Sequence, residues 1–562
     1  MTVKRNIRTQ LWYAITCLLL ALHTSAAYAQ GENNIWAFGL GAGFDFTTSP
    51  PTFFRSQSYT AEGCATVCNS EGRLQFYSDG KHVWDRNGEV MRNGDGILGN
   101  WGGAATMGSA TQGVAIVPFI NDINKYYIFT VDCTENIYKP RLPGYLRYSI
   151  VDMSLNSGLG EVVEKNIVLD TGTGEKMIVV RGGQCHLWLL VHMHSTSEFK
   201  AYKIDDIGKI YEGISSFTSS FDDSTIQANY KIYMVGEMKV SPDARRIALT
   251  TGRLVSGENA VELYSFNFRT GRVSNPIQIY RDKNSLYGLS FSPNSGLLYI
   301  GAGDGSGRPS PLMQFDVSAF PDSVAVTKSG IPIASTSGMG GMRMGPDGKI
   351  YITSQSTDII HCINNPDERG KACNLTVLDY ALPDSVRFML GFGNHVYSYN
   401  DVRRPTVYNR HDTFLCRGET KIELSAPEGY ASYTWYDGST GRQKIANGKN
   451  IWVRSEDNCR EVIDTFNVNP CNDCLYMPTA FSPNNDGKND RFRPIARLLN
   501  YFHIYIYDRW GTLVYHSDNV NEGWNGMNAS DLCDVGTYFY YIKAQCYEGI
   551  EFILKGDVTL IR

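Results

Sequence analysis

The sequence predicts an all-β fold: a β-propeller of about seven blades, then a small Ig-like β-sandwich, then a second β-sandwich at the C-terminus. Three observations carry this. Glycine (55) and tyrosine (34) are abundant among 562 residues, and together they favour tight turns and strands over helices. Proline–Asx turns flanked by apolar runs recur at Pro242-Asp243, Pro293-Asn294 and Pro346-Asp347. Their spacing of about 50 residues is that of a propeller blade. The C-terminal region alternates apolar and polar residues at strand period, as at 502–507 and 536–542.

The elements follow in order. Residues 1–29 read as a signal peptide: Lys4, Arg5 and Arg8 precede an apolar run at 11–22, and Ala27-Tyr28-Ala29 supplies a cleavage site before Gln30. The run is too short to span a bilayer comfortably. Residues 30–405 read as the propeller. Further hairpins are expected at 69–80, 113–131 and 187–204. Ring closure is expected to bring 34–38 beside 394–399, because a propeller must hide its terminal edges. Residues 406–411 read as a linker. In 412–470, Cys416, Trp435 and Cys459 have the order of an Ig-like spacer. Residues 474–562 form the last unit.

Composition excludes some classes. The formal charge is −5, and no basic run appears that would suit nucleic acid. Removing the signal takes three positive charges and makes the chain more acidic. Of thirteen cysteines, Cys17 leaves with the signal, and the even remainder reads as about six disulfides in an oxidising compartment. Neighbouring cysteines suggest Cys362 with Cys373 and Cys416 with Cys459. Cys471 and Cys474 have CxxC spacing, but no second half of a zinc site accompanies them.

Catalytic signatures are missing: no HExxH, GxSxG, GxGxxG or P-loop occurs. No cofactor is implied. His192 and His194 share one face of a strand, a spacing that can serve a metal. The oxygen-rich stretch 482–490 resembles a calcium loop, but Arg493 stands where an EF-hand needs an acid, and a tight Asx turn is the plainer reading.

The last unit carries five motifs in order. They are Pro483, Asn484, Asp486, Gly487 and Asp490; Arg509, Trp510 and Gly511; Trp524 and Gly526; Gly536 and Tyr538; and the terminal stretch 555–562. This unit resembles the gliding motility-associated C-terminal domain, the type B sorting domain of the type IX secretion system. The resemblance implies a partner, the type IX outer-membrane machinery. It also implies a place: secreted, or on the outer surface of a Gram-negative bacterium, reached through the periplasm. Polar turns at 484–490 and 508–511 offer a recognition surface. Gly511 is expected at positive φ in a hairpin turn, with Trp510 laid over the sandwich end near Trp524.

Two functional readings follow. One is a surface or secreted binding protein whose propeller takes an extracellular glycan or protein. The other is a hydrolase or lyase on extracellular polysaccharide or protein, with its active site in the propeller channel. Converging carboxylates in the channel would speak for the second.

Overall fold

The computed structural model describes residues 31–101, 107–138, 142–183, 185–228, 233–252, 257–283, 286–302, 309–397, 406–416, 421–446, 451–457, 459–471, 475–496, 499–546 and 551–562. The signal-peptide reading of 1–29 lies outside them. The chain forms two compact units. The first is Met1–Pro405 with Asn458–Arg460, and the second is Thr406–Asp457 with Glu461–Arg562.

The first unit is a seven-bladed propeller. Blades IV, V and VI are four-stranded antiparallel meanders. Each opens with one of the Pro–Asx hairpins: Met238–Val240 with Arg246–Thr250, Leu286–Phe291 with Leu297–Ala302, and Met339–Met344 with Ile350–Ser354. The three turns share a tight core, in which Ala244 N, Ser295 N and Gly348 N donate to Ser241 O, Ser292 O and Gly345 O. The third closes one residue shorter than the other two. Ser241 N donates to Arg246 O, Ser292 N to Leu297 O and Gly345 N to Lys349 O. Ala244, Ser295 and Gly348 hold the same left-handed position at φ 58°, 63° and 75°.

Blade III begins at Thr173–Arg181. Blades I and II begin at Ala65–Cys68 and Val114–Phe119. The outer strands of I and II touch through one parallel pair, Arg92 with Glu161, which joins them into an eight-stranded sheet. Blade VII is built from the N-terminal strands Ile35–Phe38, Ala42–Asp45 and Thr52–Phe53. Leu40 of this blade pairs with Arg387, so both ends of the propeller chain meet there.

The ring closes through contacts between neighbouring inner segments. Gly63 N donates to Ala110 O, Gln112 N to Glu175 O, Glu175 N to Met234 O and Glu237 N to Tyr287 O. Blades V and VI approach so closely that a Cβ on Gly288 would lie 2.1 Å from Gly340 O, a position only glycine can fill. Trp36 meets Tyr351 edge-on at 5.9 Å, and Ala37 N donates to Thr66 Oγ1. The expected partner of the N-terminal strand, 394–399, is described as far as Tyr397 and lines the channel cavity. Gly391 N donates to Ala61 O and Asn394 N to Cys64 O. Asn33 Nδ2 donates to Val396 O, and Phe38 stacks on Phe388.

The second unit holds two sandwiches. In the first, Val407–Cys416 pairs in parallel with Glu461–Cys471, and Trp435 sits in the core with Val453 and Phe466. The expected linker 406–411 is therefore mostly strand: Val407 and Tyr408 favour extended backbone, and the parallel partner satisfies it. The last part forms a five-stranded sheet around Leu499–Tyr507, Gly536–Cys546 and Glu551–Leu560. Trp524, Phe481, Ile506 and Val558 fill its core.

The cysteine pairing differs from expectation. Cys459 bonds to Cys185, 274 residues away, and both belong to the first unit. Cys416 is therefore not its partner. Cys64, Cys68, Cys133, Cys362, Cys373 and Cys533 are unbonded and buried. Cys362 packs with Trp36 and Tyr351, whereas Cys373 packs on the opposite face with Tyr299 and Ile363. Cys362 and Ile363 are adjacent on one strand and point to opposite faces. Cys373, in the short 3-10 turn Gly370–Cys373, packs on the Ile363 face, which separates the pair. Cys64 and Cys68, four residues apart in extended chain, stand about 13 Å apart, beyond disulfide reach. Cys474 of the CxxC pair, and the side chain of Cys471, fall outside the described residues. No helix among the described residues is long and apolar enough to cross a membrane.

Candidate functional site

The inner strands of blades III to VI converge on a cavity in the propeller channel, about 250 Å³ in volume. Ile178, Val240 and Phe291 give an apolar wall, and Arg181, Lys239 and Arg343 give a cationic one beside the His395 ring. Asn394 is pinned between blades: its Nδ2 donates to Val114 O, and its Oδ1 accepts from Gln112 Nε2 at 3.2 Å.

Arg343 is the unusual member. It is 5% exposed. Its guanidinium lies over the Trp36 ring at 4.3 Å, and Nη2 donates to Asn33 Oδ1 at 2.8 Å. Nε and Nη1 have no protein partner. Burial lowers its pKa to about 10, while the Cys64 and Cys68 thiols act in the opposite direction. Lys239, by contrast, pairs with Glu237 at 3.1 Å. Burial, reinforced by Arg343 and Lys239, drives the His395 pKa down to about 3, so the ring is neutral at pH 7 even though it is open to the channel.

Carboxylates also gather where the inner strands begin. Glu175 accepts four hydrogen bonds, from N and Oγ1 of both Thr111 and Thr134. Glu237 Oε2 accepts from Leu289 N and Met342 N, tying blade IV to V and VI. Glu62 has an unpartnered Oε2. Burial raises the pKa of both Glu62 and Glu175, and the charge of Glu175 raises Glu62 further.

His192 and His194 are not brought together. His192 is fully buried between Phe199 and Tyr233, and its Nδ1 bonds Met193 O. Burial takes its pKa down to about 3. His194 lies beyond the strand end, with its ring against Ser195. No group of three or more His, Cys, Asp or Glu among the described residues could hold a metal ion.

In the C-terminal sandwich the motif residues divide into two sets. Trp524 is fully buried, packs on Phe481 (5.3 Å) and Tyr538 (4.8 Å), and donates Nε1–H to Met527 O. Tyr538, two residues into the strand that Gly536 opens, donates to Asp534 O. Gly526 sits at φ 78° against Leu560 and Pro483. The other set is exposed. Asp490 accepts from Asn485 N and Gly487 N, Asp486 from Lys488 N, and Asn484 from Asp486 N. This is the Asx turn of the plainer reading, with both Asp490 oxygens engaged by the loop's own backbone. Asp508 Oδ1 accepts from Trp510 N and Thr512 N, and Gly511 holds φ 83° as expected. Arg509 is exposed. Trp510 is 84% exposed and does not cover the sandwich end, because the turn lifts it clear of the sheet.

The sequence reading missed Arg343, Glu62 and Glu175, each of which is unremarkable in its own segment. It also gave no separate role to Arg562, which donates to Cys533 O and Gly526 O and so clamps the chain end.

No curated protein matches the chain. Among solved structures it is similar to a protein from Lactobacillus plantarum (14% identity, 63% of this chain and 98% of that one, TM-score 0.36). It is also similar to hydrazine synthase of Kuenenia stuttgartiensis (14%, 61% and 90%, TM-score 0.33). A third is an oligogalacturonate lyase in complex with manganese (14%, 61% and 83%, TM-score 0.32). The fold assignment rests on the strand order described above, not on these likenesses. At the other end of the chain, residues 475–553 match a family by sequence: the chain carries a CHU_C type IX secretion signal domain.

Proposed function

We propose that this is a secreted or cell-surface binding protein, exported by the type IX secretion system through its C-terminal domain, with the propeller as its ligand-binding part. The boundaries that fit this reading are a signal peptide at 1–29, a propeller at 30–405, an Ig-like spacer at 412–470 and a sorting domain at 474–562. The signal domain at 475–553 is the observation that carries export. The binding half is supported by the channel cavity, whose donors are held in place before any ligand arrives. The ligand is an extracellular glycan or protein. The export half is tested by deleting 474–562, which should leave the chain in the periplasm; normal surface levels of the truncated chain would refute it. The binding half is tested by glycan-array binding of the full chain.

One observation favours a second reading, a hydrolase or lyase. Burial and the neighbouring Glu175 charge raise the Glu62 carboxyl pKa, the direction a general acid needs. In that case Glu62→Gln abolishes polysaccharide or protein cleavage without lowering the melting temperature. Undetectable cleavage by the wild-type chain across such substrates removes this reading.

A further inference from the structure

The channel holds a built oxyanion site, and we infer that the ligand taken there presents a carboxylate to Arg343. This rests on the binding reading above and adds the chemical class of the ligand.

A guanidinium nine-tenths or more buried ordinarily has a carboxylate partner, because an uncompensated charge in the interior is costly. Among the described residues Arg343 has none. Its one hydrogen bond goes to a neutral amide oxygen, Asn33 Oδ1. The acids that bear on it are the thiols of Cys64 and Cys68, both pushed up to about 12 by burial and so uncharged at neutral pH. Nε and Nη1, which carry three of the five N–H bonds, are free. Arg343 lines the cavity and Trp36 backs its guanidinium. Nε and Nη1 are themselves shielded from water, so what an anion in the cavity meets is an uncompensated charge in a dry wall.

The neighbours set the kind of anion. Lys239 is already neutralised by Glu237, Arg181 donates to Pro242 O, and His395 is neutral. A hydrogen bond to a carbonyl leaves the Arg181 charge uncompensated, so the half-buried Arg181 and the buried Arg343 both draw an anion. The apolar remainder of the wall suits an organic carboxylate better than inorganic phosphate. Ile178, Val240, Phe291 and Met344 form the rest of the wall, and about 250 Å³ accommodates a body the size of one ring. The site is thus one for a carboxylate on a sugar- or ring-sized body.

The test is isothermal titration of the full chain, purified without its signal peptide, at pH 7. The probes are sodium D-glucuronate, sodium benzoate, D-glucose and inorganic phosphate, with Arg343→Gln and Arg343→Lys as variants. At least one carboxylate should bind, glucose and phosphate about tenfold or more weakly than it, and Arg343→Gln should weaken it by about tenfold or more. Arg343→Lys keeps the charge but loses the planar fork, so its affinity should lie between the two. Melting provides an independent readout: a ligand-free protein that loses an uncompensated buried charge should melt no lower as Arg343→Gln. Should Arg343→Gln fail to fold, the Lys variant carries the comparison. The inference is overturned if neither carboxylate binds, if glucose or phosphate binds as tightly, or if a folded Arg343 variant keeps wild-type affinity. Array binding that persists through those results leaves the channel a binding site and removes only the carboxylate. Loss of both removes the binding reading as well.

Discussion

The propeller channel and the C-terminal signal domain solve the problem of presenting a functional residue in opposite ways. The channel takes single residues from distant blades and holds them inside: Arg343 from blade VI, Lys239 from blade IV and Asn394 from the returning chain. The signal domain keeps its residues in short runs at turns, with Asn484 to Asp490 and Asp508 to Gly511 out in water and Trp524 and Tyr538 beneath them. A channel site encloses its charge with walls from several blades, which makes an uncompensated charge costly and its pairing with a ligand correspondingly strong. A turn site offers shape and polarity to something large that arrives from outside.

The largest effect expected from this contrast lies under the turns. Trp524→Ala removes a fully buried indole that touches Phe481 and Tyr538 and leaves the Met527 carbonyl without its donor. It should cost about 3–5 kcal/mol, enough to unfold a small domain and stop export. Limited proteolysis of the full chain would show new cleavage within 475–562. Wild-type resistance would mean that the ring does not hold the sandwich together.

A pH series sharpens the other side of the comparison, the tolerance of the propeller for buried charge. Lys176 is fully buried, and its ammonium donates to the Tyr233 and Val235 carbonyls. Burial takes its pKa down to about 7, against an unfolded value of 10.5. Between those values the unfolded chain holds the proton more tightly, so stability rises with pH. The penalty is full below pH 7 and shrinks towards 10.5, with a slope of at most about 1.4 kcal/mol per pH unit. Denaturant midpoints from pH 7 to 9.5 should climb in the wild type and climb less in Lys176→Met. Equal slopes would show that Lys176 carries no penalty.

Thiol chemistry tests the propeller's interior directly. Among the described residues, five cysteines of the propeller and Cys533 of the last sandwich are unbonded and buried, and burial lifts Cys64, Cys68 and Cys133 to about 12. Native protein should therefore alkylate slowly at these sites, and denatured, unreduced protein should alkylate at all six. Intact mass spectrometry reads both numbers, and a denatured chain without free thiols would restore the disulfide framework that the cysteine count suggests.

These contrasts also explain what could be read in the sequence. The three Pro–Asx hairpins were legible because a turn is a local event, and blades IV to VI use them as expected. The signal-domain motifs were legible for the same reason. Blade VII was only half visible, since its strands come from the N-terminus and its closure from Arg387. The channel site was not visible, because Arg343 lies within a glycine- and methionine-rich strand and becomes unusual only when Asn33 and Trp36 arrive from more than 300 residues away. Cysteine pairing failed likewise: Cys185 and Cys459 are brought together by the fold and not by neighbourhood in the chain. Trp510 misled in the opposite direction, since a large indole in a sequence reads as core unless the turn beneath it is known.

The smallest stability effects belong to the exposed turns, and there fold and recognition come apart. Gly511 holds φ 83° with nothing within 4 Å of a would-be Cβ, so Gly511→Val adds backbone strain and no clash. A cost of about 1–3 kcal/mol is expected. Trp510→Ala removes an 84% exposed ring and should change stability by only about 0.5 kcal/mol or less, as should Lys488→Ala on the Asx loop. An exposed tryptophan at a hairpin tip gains little in the free protein, so its value must lie in what it touches. Surface display should therefore fall for Trp510→Ala while its melting curve overlays the wild type. Gly511→Val should lower both together. Full display of Trp510→Ala would take this ring off the recognition surface. A lowered melt for the same variant would mean that it packs against protein after all. If Lys488→Ala alone loses display, recognition belongs to the Asx loop and not to the 508–511 turn.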